Sequence, residues 1–320
     1  MMLKIFFPLT CIVSGGLLAN SALAGASGWL SYSDETSSRL SVDSSLGESD
    51  TQEKDYVVGD VDNDGDEDLI VVRKEPFTSA GRDINLLLMN ENGVLVDRTS
   101  QYATSSDVSG DQGFLTPTND RDVKLADFNG DGWLDIITAP TLTDNDSKHL
   151  SHPRIYINLG EDEGQWLGFR YEDARIPQMH PTAGPRFCSV TVGDIDADGD
   201  EDLYFGDYDS GPAQIEDYNN RLLINNGNGY FTDESQSRLT SEMRESAFGA
   251  ASVIADMNDD GALDIVKQTS LNPPQHVAVT YNDPSNEGVF IEYEIQDQLA
   301  PYFVEVGDLN GDGMLDMVVI

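Results

Sequence analysis

Five ten-residue stretches decide the fold: GDVDNDGDED at 59–68, ADFNGDGWLD at 126–135, GDIDADGDED at 193–202, ADMNDDGALD at 255–264 and GDLNGDGMLD at 307–316. They align without gaps. Counting the first Asp of each as position 1, they start at Asp60, Asp127, Asp194, Asp256 and Asp308, at intervals of 67, 67, 62 and 52 residues. Such a period is too long for a helical-hairpin repeat and suits a four-stranded unit with loops.

The flanks repeat as well. Ahead of each decamer lies a β-prone run (Tyr56-Val57-Val58, Val123 to Ala126, Ser189 to Val192, Ser252 to Ala255, Phe303 to Val306), and another follows (Leu69 to Val72, Ile136-Ile137, Leu203 to Phe205, Ile265-Val266, Met317 to Ile320). The decamer is therefore a strand-to-strand loop. A second pair of runs comes later in each unit: Asn85 to Met89 with Val94 to Val96, Leu222 to Ile224 with Tyr230 to Thr232, and more weakly Ile155 to Asn158 with Phe169 to Tyr171 and His276 to Tyr281 with Val289 to Tyr293. Asn92-Gly93 and Asn226-Gly227-Asn228-Gly229 join two of these pairs, and Asn-Gly is the strongest short-range hairpin signal because both central residues of a type I′ turn need positive φ. Tandem four-stranded antiparallel units of this kind stack radially into a β-propeller. The expectation is an all-β chain with five blade motifs.

Within the decamers the chemistry is as regular as the spacing. Positions 1, 3, 5 and 9 carry a carboxylate or carboxamide: Asp60, Asp62, Asp64 and Asp68; Asp127, Asn129, Asp131 and Asp135; Asp194, Asp196, Asp198 and Asp202; Asp256, Asn258, Asp260 and Asp264; Asp308, Asn310, Asp312 and Asp316. Position 6 is always Gly, and position 2 is always apolar (Val61, Phe128, Ile195, Met257, Leu309), as an anchor to the core would be. Alternate oxygens turned inward around a glycine bend make an all-oxygen cage, to which position 7 (Asp66, Trp133, Asp200, Ala262, Met314) can add a backbone carbonyl. Such a hard ligand set suits Ca²⁺, up to five ions in all, whereas Mg²⁺ prefers to keep several waters. An EF-hand needs a bidentate Glu at position 12, where this chain has Val71, Thr138, Phe205, Lys267 and Val319, and it needs flanking helices rather than strands.

These loops resemble the FG-GAP/VCBS repeats, also found in the integrin α-subunit head, and the stretch Asn225 to Phe231 is similar to the hairpin of that family. The resemblance covers about residues 54 to 320. It implies a calcium-braced propeller, usually of seven blades, and it implies little about partners because such folds host many functions. The fifth unit reaches Ile320 directly after its second strand. Two readings stay open: a ring of five closed by Trp29 to Tyr32 and Arg39 to Val42, or a fragment of a larger propeller of about seven blades.

Composition narrows the function classes. Against 58 Asp and Glu stand 18 Lys and Arg, a formal charge of −40, which argues against nucleic acid as a partner. Seventeen of the 58 acids are the side-chain ligands named above. Four His and two Cys leave little material for zinc, haem or thiol chemistry. Residues 1–24 read as a secretory signal peptide, with Lys4 before an apolar run and Ala22-Leu23-Ala24 as the cleavage site; Pro8, Ser14, Gly15 and Gly16 interrupt the run too often for a membrane span. Cleavage removes Cys11 and leaves Cys188 as a small buried side chain, with no disulfide to brace an exported chain. The expected division is a leader over 1–24, an N-terminal segment over 25–53 and the propeller over 54–320.

The function expected from this is a secreted, non-catalytic binding or adhesion module for an extracellular protein or glycan. Its recognition surface would lie in the long loops Thr99 to Arg121, Thr138 to Arg154, Asp173 to Arg186 and Asp207 to Tyr218, with Tyr102, Tyr208 and Tyr218 as candidate sugar contacts. The alternative is a calcium-assisted polysaccharide lyase or hydrolase using His149, His152, His180, Glu161 or Asp162. The Asp34-x-Thr36-x-Ser38 spacing matches an adhesion-site metal motif, but no hydrophobic strand precedes it.

Overall fold

The structure is a computed structural model that describes residues 6–8, 32–42, 52–74, 81–141, 146–179, 185–207, 220–244, 252–269, 276–297 and 303–319. It is all-β, with helices of a single turn only among the described residues. None of these helices is long and apolar enough to cross a membrane.

Four antiparallel sheets follow one another along the chain. The first contains Glu53–Gly59, Asp68–Lys74, Leu86–Asn90 and Leu95–Asp97. Asp120–Ala126, Asp135–Pro140, Arg154–Asn158 and Phe169–Tyr171 form the second; Phe187–Gly193, Asp202–Asp207, Arg221–Asn225 and Phe231–Asp233 the third; Ser252–Ala255, Asp264–Thr269, His276–Asn282 and Phe290–Asp297 the fourth. Val304–Gly307 and Asp316–Val319 begin a fifth unit as a two-stranded pair. In every unit the residue before position 1 pairs with the Asp at position 9: Gly59 with Asp68, Ala126 with Asp135, Gly193 with Asp202, Ala255 with Asp264 and Gly307 with Asp316. The register of the decamers is thus the register of the sheets.

The sheets stack face to face, the first strand of each lying against the first strand of the next. Second strands are consequently covered on both sides, and Asp68–Lys74, Asp135–Pro140 and Asp202–Asp207 are buried along their whole length. One apolar core lies between each pair of sheets: Val61, Ile70 and Leu87 with Ile136, Tyr156 and Phe169; Phe128, Ile137 and Ile155 with Val190, Leu203 and Phe231; Ile195, Tyr204 and Leu222 with Ile265 and Phe290. Burying each such side chain contributes about 1.5–3 kcal/mol. Close stacking of the inner strands needs a missing side chain at Gly59, where a Cβ would come within 2.7 Å of the Leu125 side chain.

The connections between sheets correct two expectations. Leu40–Ser41 pairs in parallel with Leu95–Asp97, so the segment Arg39 to Val42 extends the first sheet and does not supply strands to the fifth unit. Thr36–Arg39, which precedes it, is a helical turn, and the strand ahead of that turn is Tyr32–Asp34, paired with Phe6–Pro8. Residues 29–31 lie outside the described residues. The long loop Thr99 to Arg121 is likewise built into the structure: it forms a helical turn at Thr99–Tyr102, then Ser105–Ser106 pairs in parallel with Phe169–Tyr171, and Phe114 is fully buried. Asp111 of this loop makes a fully buried two-pronged ion pair with Arg154, 3.0 Å in each prong, whose guanidinium lies 3.7 Å above the Tyr171 ring. Burial pushes the Asp111 carboxyl up, but its bonds to Arg154 outweigh that and hold it below the usual range. Removing either partner would strand a buried charge, at a cost of about 3–5 kcal/mol.

Candidate metal centre

All five decamers adopt one conformation, fixed by their own side chains. The position 1 carboxylate accepts the N–H of position 5 on one oxygen, at 3.1 Å in the loops of Asp60, Asp127 and Asp194 and 3.2 Å in those of Asp256 and Asp308. Its other oxygen accepts the N–H of the position 6 glycine at 2.7–3.1 Å. The position 5 carboxylate accepts the N–H of position 7 in each loop. Two residues per loop are left-handed: the glycine at position 6, with φ of +88 to +96°, and position 4, with φ of +55 to +79°, occupied by Asn63, Gly130, Ala197, Asp259 and Gly311. The glycine rule at position 6 was visible in the sequence. The second bend at position 4 was hidden by its mixed residue types.

Beneath the loop sits the Asp of position 9. Asp68, Asp135, Asp202 and Asp264 are buried, each accepting the N–H of its own position 2 and the N–H of the Asn that ends the third strand of its sheet. That Asn (Asn90, Asn158, Asn225, Asn282) is a clasp. Its amide oxygen accepts the N–H of a glycine in the following turn, and its NH₂ donates to the position 8 carbonyl of its own loop. In three cases the NH₂ also donates to the position 2 carbonyl of the preceding unit: Asn158 to Val61 at 2.7 Å, Asn225 to Phe128 at 2.8 Å and Asn282 to Ile195 at 2.8 Å. The first three loops are therefore held from below by their own sheet and from the side by the next.

The fit of these loops to a cation rests on converging, undercompensated oxygens. One oxygen from each of Asp60, Asp62 and Asp68 lies within 4.8 Å of the others, as do those of Asp194, Asp196 and Asp202. Burial, followed by the charge of the neighbouring Asp64 or Asp198, pushes Asp62 and Asp196 above the ordinary carboxylate value. Burial likewise pushes Asp68, Asp135 and Asp202 up to about 7 and Asp264 to about 6. Arg238 neutralises part of the third loop through one oxygen of Asp196 at 3.0 Å, while the other, Oδ1, is buried without a hydrogen-bond partner. In two of the three loops with Asn at position 3, its NH₂ donates to the position 5 carboxylate, at 2.9 Å for both Asn129 to Asp131 and Asn258 to Asp260. An oxygen-binding dication fits this donor set, since it would relieve the repulsion and accept the free lone pairs.

The residues considered for catalysis are not brought together. His149 and His152 lie at the start of the strand Arg154–Asn158, whereas Glu161–Asp162 sits in an exposed hairpin beyond its other end. His152 is buried, with Nδ1 beside Ser151 Oγ at 2.9 Å and Nε2 accepting the N–H of Met179 at 3.1 Å. His180, Tyr208 and Tyr218 fall outside the described residues. Tyr102 is half-buried, its ring centroid 4.8 Å from that of Trp166. Asp34 serves its helical turn, accepting the N–H of Thr36 at 3.2 Å. Cys188 is buried and forms no disulfide among the described residues.

A family model described as FG-GAP-like repeat matches residues 60–138 and again 127–205. Among curated proteins no match is found. Among solved structures, the V. cholerae biofilm matrix protein Bap1 is similar over 83% of this chain at 18% identity, with a TM-score of 0.41. The chain spans about a third of that protein's length, 34%. The family match falls on the first three acidic loops and the sheets between them, where spacing, bends and clasps repeat unit by unit. The chain thus carries FG-GAP-like repeats, two of them in tandem over residues 60–205.

Proposed function

We propose that this chain is a calcium-braced β-propeller module that works outside the cell as a non-catalytic binding or adhesion element for a protein or glycan. The single observation that carries the reading is the identity of the five loops, which share one hydrogen-bond pattern around clustered carboxylates. Each loop would hold one Ca²⁺ through the side chains of positions 1, 3, 5 and 9 and the position 7 carbonyl. The four sheets and the fifth pair are the blades. The ion's role is structural: bound only by the folded loop, it stabilises by mass action, about 1.4 kcal/mol per site at ten times its Kd. The −40 charge and the millimolar calcium outside cells fit that setting, because extracellular modules bind at about 10⁻⁴ to 10⁻³ M.

Calorimetric titration of the chelated protein with Ca²⁺ tests the metal, with four to five ions per chain expected. No uptake up to 10 mM would sink the reading. A glycan and matrix-protein array, set beside depolymerisation assays on acidic polysaccharides, tests the role. Turnover of a polysaccharide would replace the binding module with an enzyme.

A further inference from the structure

The five inner strands surround one cavity of about 460 Å³, and each contributes polar or charged groups to its wall. Asp55 comes from the first, Asp122 and Lys124 from the second, Thr191 from the third, Ser252 from the fourth and Glu305 from the last. Asp55 and Asp122 occupy the same place in their units, five residues before the first loop ligand, and Lys124 and Glu305 share the place three before it. None belongs to a loop.

The wall is built rather than incidental. Asp122 accepts the N–H of Val190 on Oδ2 at 2.8 Å, reaching across to the third sheet, and on Oδ1 it accepts the Val123 N–H at 2.8 Å and Lys124 Nζ at 2.5 Å. The Asp55 carboxyl accepts the Tyr56 N–H at 2.9 Å and hydrogen-bonds to Asp122. Opposite them, Thr191 and Ser252 share a hydroxyl hydrogen bond of 2.6 Å. Lys74, Arg121 and Asp120, where strands of the first two sheets end, also line the cavity, and Asp120 is absorbed by Asn85, Thr118 and Thr138.

Three carboxyl groups, Asp122, Asp55 and Glu305, act on the Lys124 ammonium, and with Asp120 the wall carries four acids against the three bases Lys74, Arg121 and Lys124. Although burial works against its charge, Asp122, with Asp55 and Glu305, holds Lys124 above the ordinary lysine value. The site therefore favours positive charge. A bare metal ion suits it less, because the oxygens of Asp55, Asp122 and Glu305 do not converge within 4.8 Å as those of the first and third loops do. A group with length and several N–H donors can instead span separated carboxylates and the hydroxyl pair.

We propose that this cavity is a binding site for a small aliphatic ammonium ligand, held by Asp55, Asp122 and Glu305 with Lys124 as the resident cation it displaces or joins. Burial, then the neighbouring charge of Asp122, pushes Asp55 up to about 7, opposed by Lys124. An entering ammonium would drive that proton off, so affinity should rise about tenfold from pH 6 to pH 8.

The test is calorimetric titration of the whole chain with 1,4-diaminobutane in saturating calcium and physiological salt, beside 1,4-butanediol and succinate. One diamine per chain is expected, with no comparable heat from the diol or the diacid. Glu305→Gln, at an exposed position, should weaken binding at least tenfold, and Lys124→Met, which removes the competing cation, should tighten it several-fold. No saturable diamine binding, equal binding of the diol, or affinity unchanged in both variants would overturn the proposal. The last result would place the amine on the acidic surface instead.

Discussion

The third and fifth loops carry the same ligand positions but stand on different supports. At Asp194–Asp202 the position 2 residue, Ile195, is 1% exposed, its carbonyl is clasped by Asn282, and Asp202 is buried under two backbone N–H groups. At Asp308–Asp316 the same internal hydrogen bonds form, yet Leu309 is 66% exposed, and among the described residues Asp316 receives only the Leu309 N–H. The backbone N–H groups of Gly313 and Gly311, followed by those of Asp312 and Asn310, hold the Asp308 carboxyl below its usual value. The motif writes the loop, and the neighbouring sheet makes it rigid. The spacing of the acidic positions therefore predicts the conformation of a loop better than its support.

The largest expected effect is that of chelation, which removes every brace at once. Scanning calorimetry in excess EDTA should lower the melting temperature by on the order of ten degrees relative to millimolar calcium. An unchanged melt would remove the ion from both loops and end the comparison. Asn282→Ala comes next, because it leaves the Ile195 and Leu263 carbonyls without their amide. It should cost about 2–3 kcal/mol in denaturant melts and move one tight calcium site into the weak class of the fifth loop. Retention of four tight sites would show that the clasp does not set affinity.

A pH dependence should follow in the calcium-free protein. Burial raises Asp68, Asp135 and Asp202 from the ordinary value of about 4 to about 7, so their contribution is complete below about pH 4 and is lost as pH rises through 7. The chelated protein should melt at progressively lower temperature from pH 5 to pH 8, while the calcium-loaded protein does so much less. The smallest effect is expected at Leu309→Ser, within about 0.5 kcal/mol, against about 2–3 kcal/mol for Ile195→Ser at the equivalent buried position. Equal costs would mean that the two loops are packed alike in solution.

Much of this was legible because the period of the sequence is the period of the fold. The decamers gave strand order and register together, and Asn92-Gly93 takes positive φ at both residues, 56° and 84°, as the hairpin rule requires. The segment Arg39 to Val42 reads as a strand in the sequence but not its parallel partner Leu95–Asp97, and Ser105–Ser106 is not legible at all, because two residues carry too little alternation to fix a pairing. The segment Ser33 to Leu40 (SDETSSRL) does have a detectable counterpart in Thr232 to Leu239 (TDESQSRL), including the Arg39 to Glu35 and Arg238 to Glu234 pairs. Asn158, Asn225 and Asn282 look like ordinary strand ends in one dimension, since their acceptors lie 97, 97 and 87 residues back. Asp55 and Asp122 do not stand out from the other acids in one dimension, although charged residues on the first strand of a unit are the signal that marks the lined cavity.

The asparagine clasp also has a direction. Each of the first three units offers a carbonyl forward and receives an amide from the unit that follows, so this part of the array has a giving side and a taking side, like bricks with a tongue on one edge and a groove on the other. A unit duplicated in frame, from one decamer to the next, carries both edges with it and fits between any two neighbours without new contacts. Growth by tandem copying is thereby nearly free of structural penalty, whereas inversion or a cut inside the third strand breaks two joints at once.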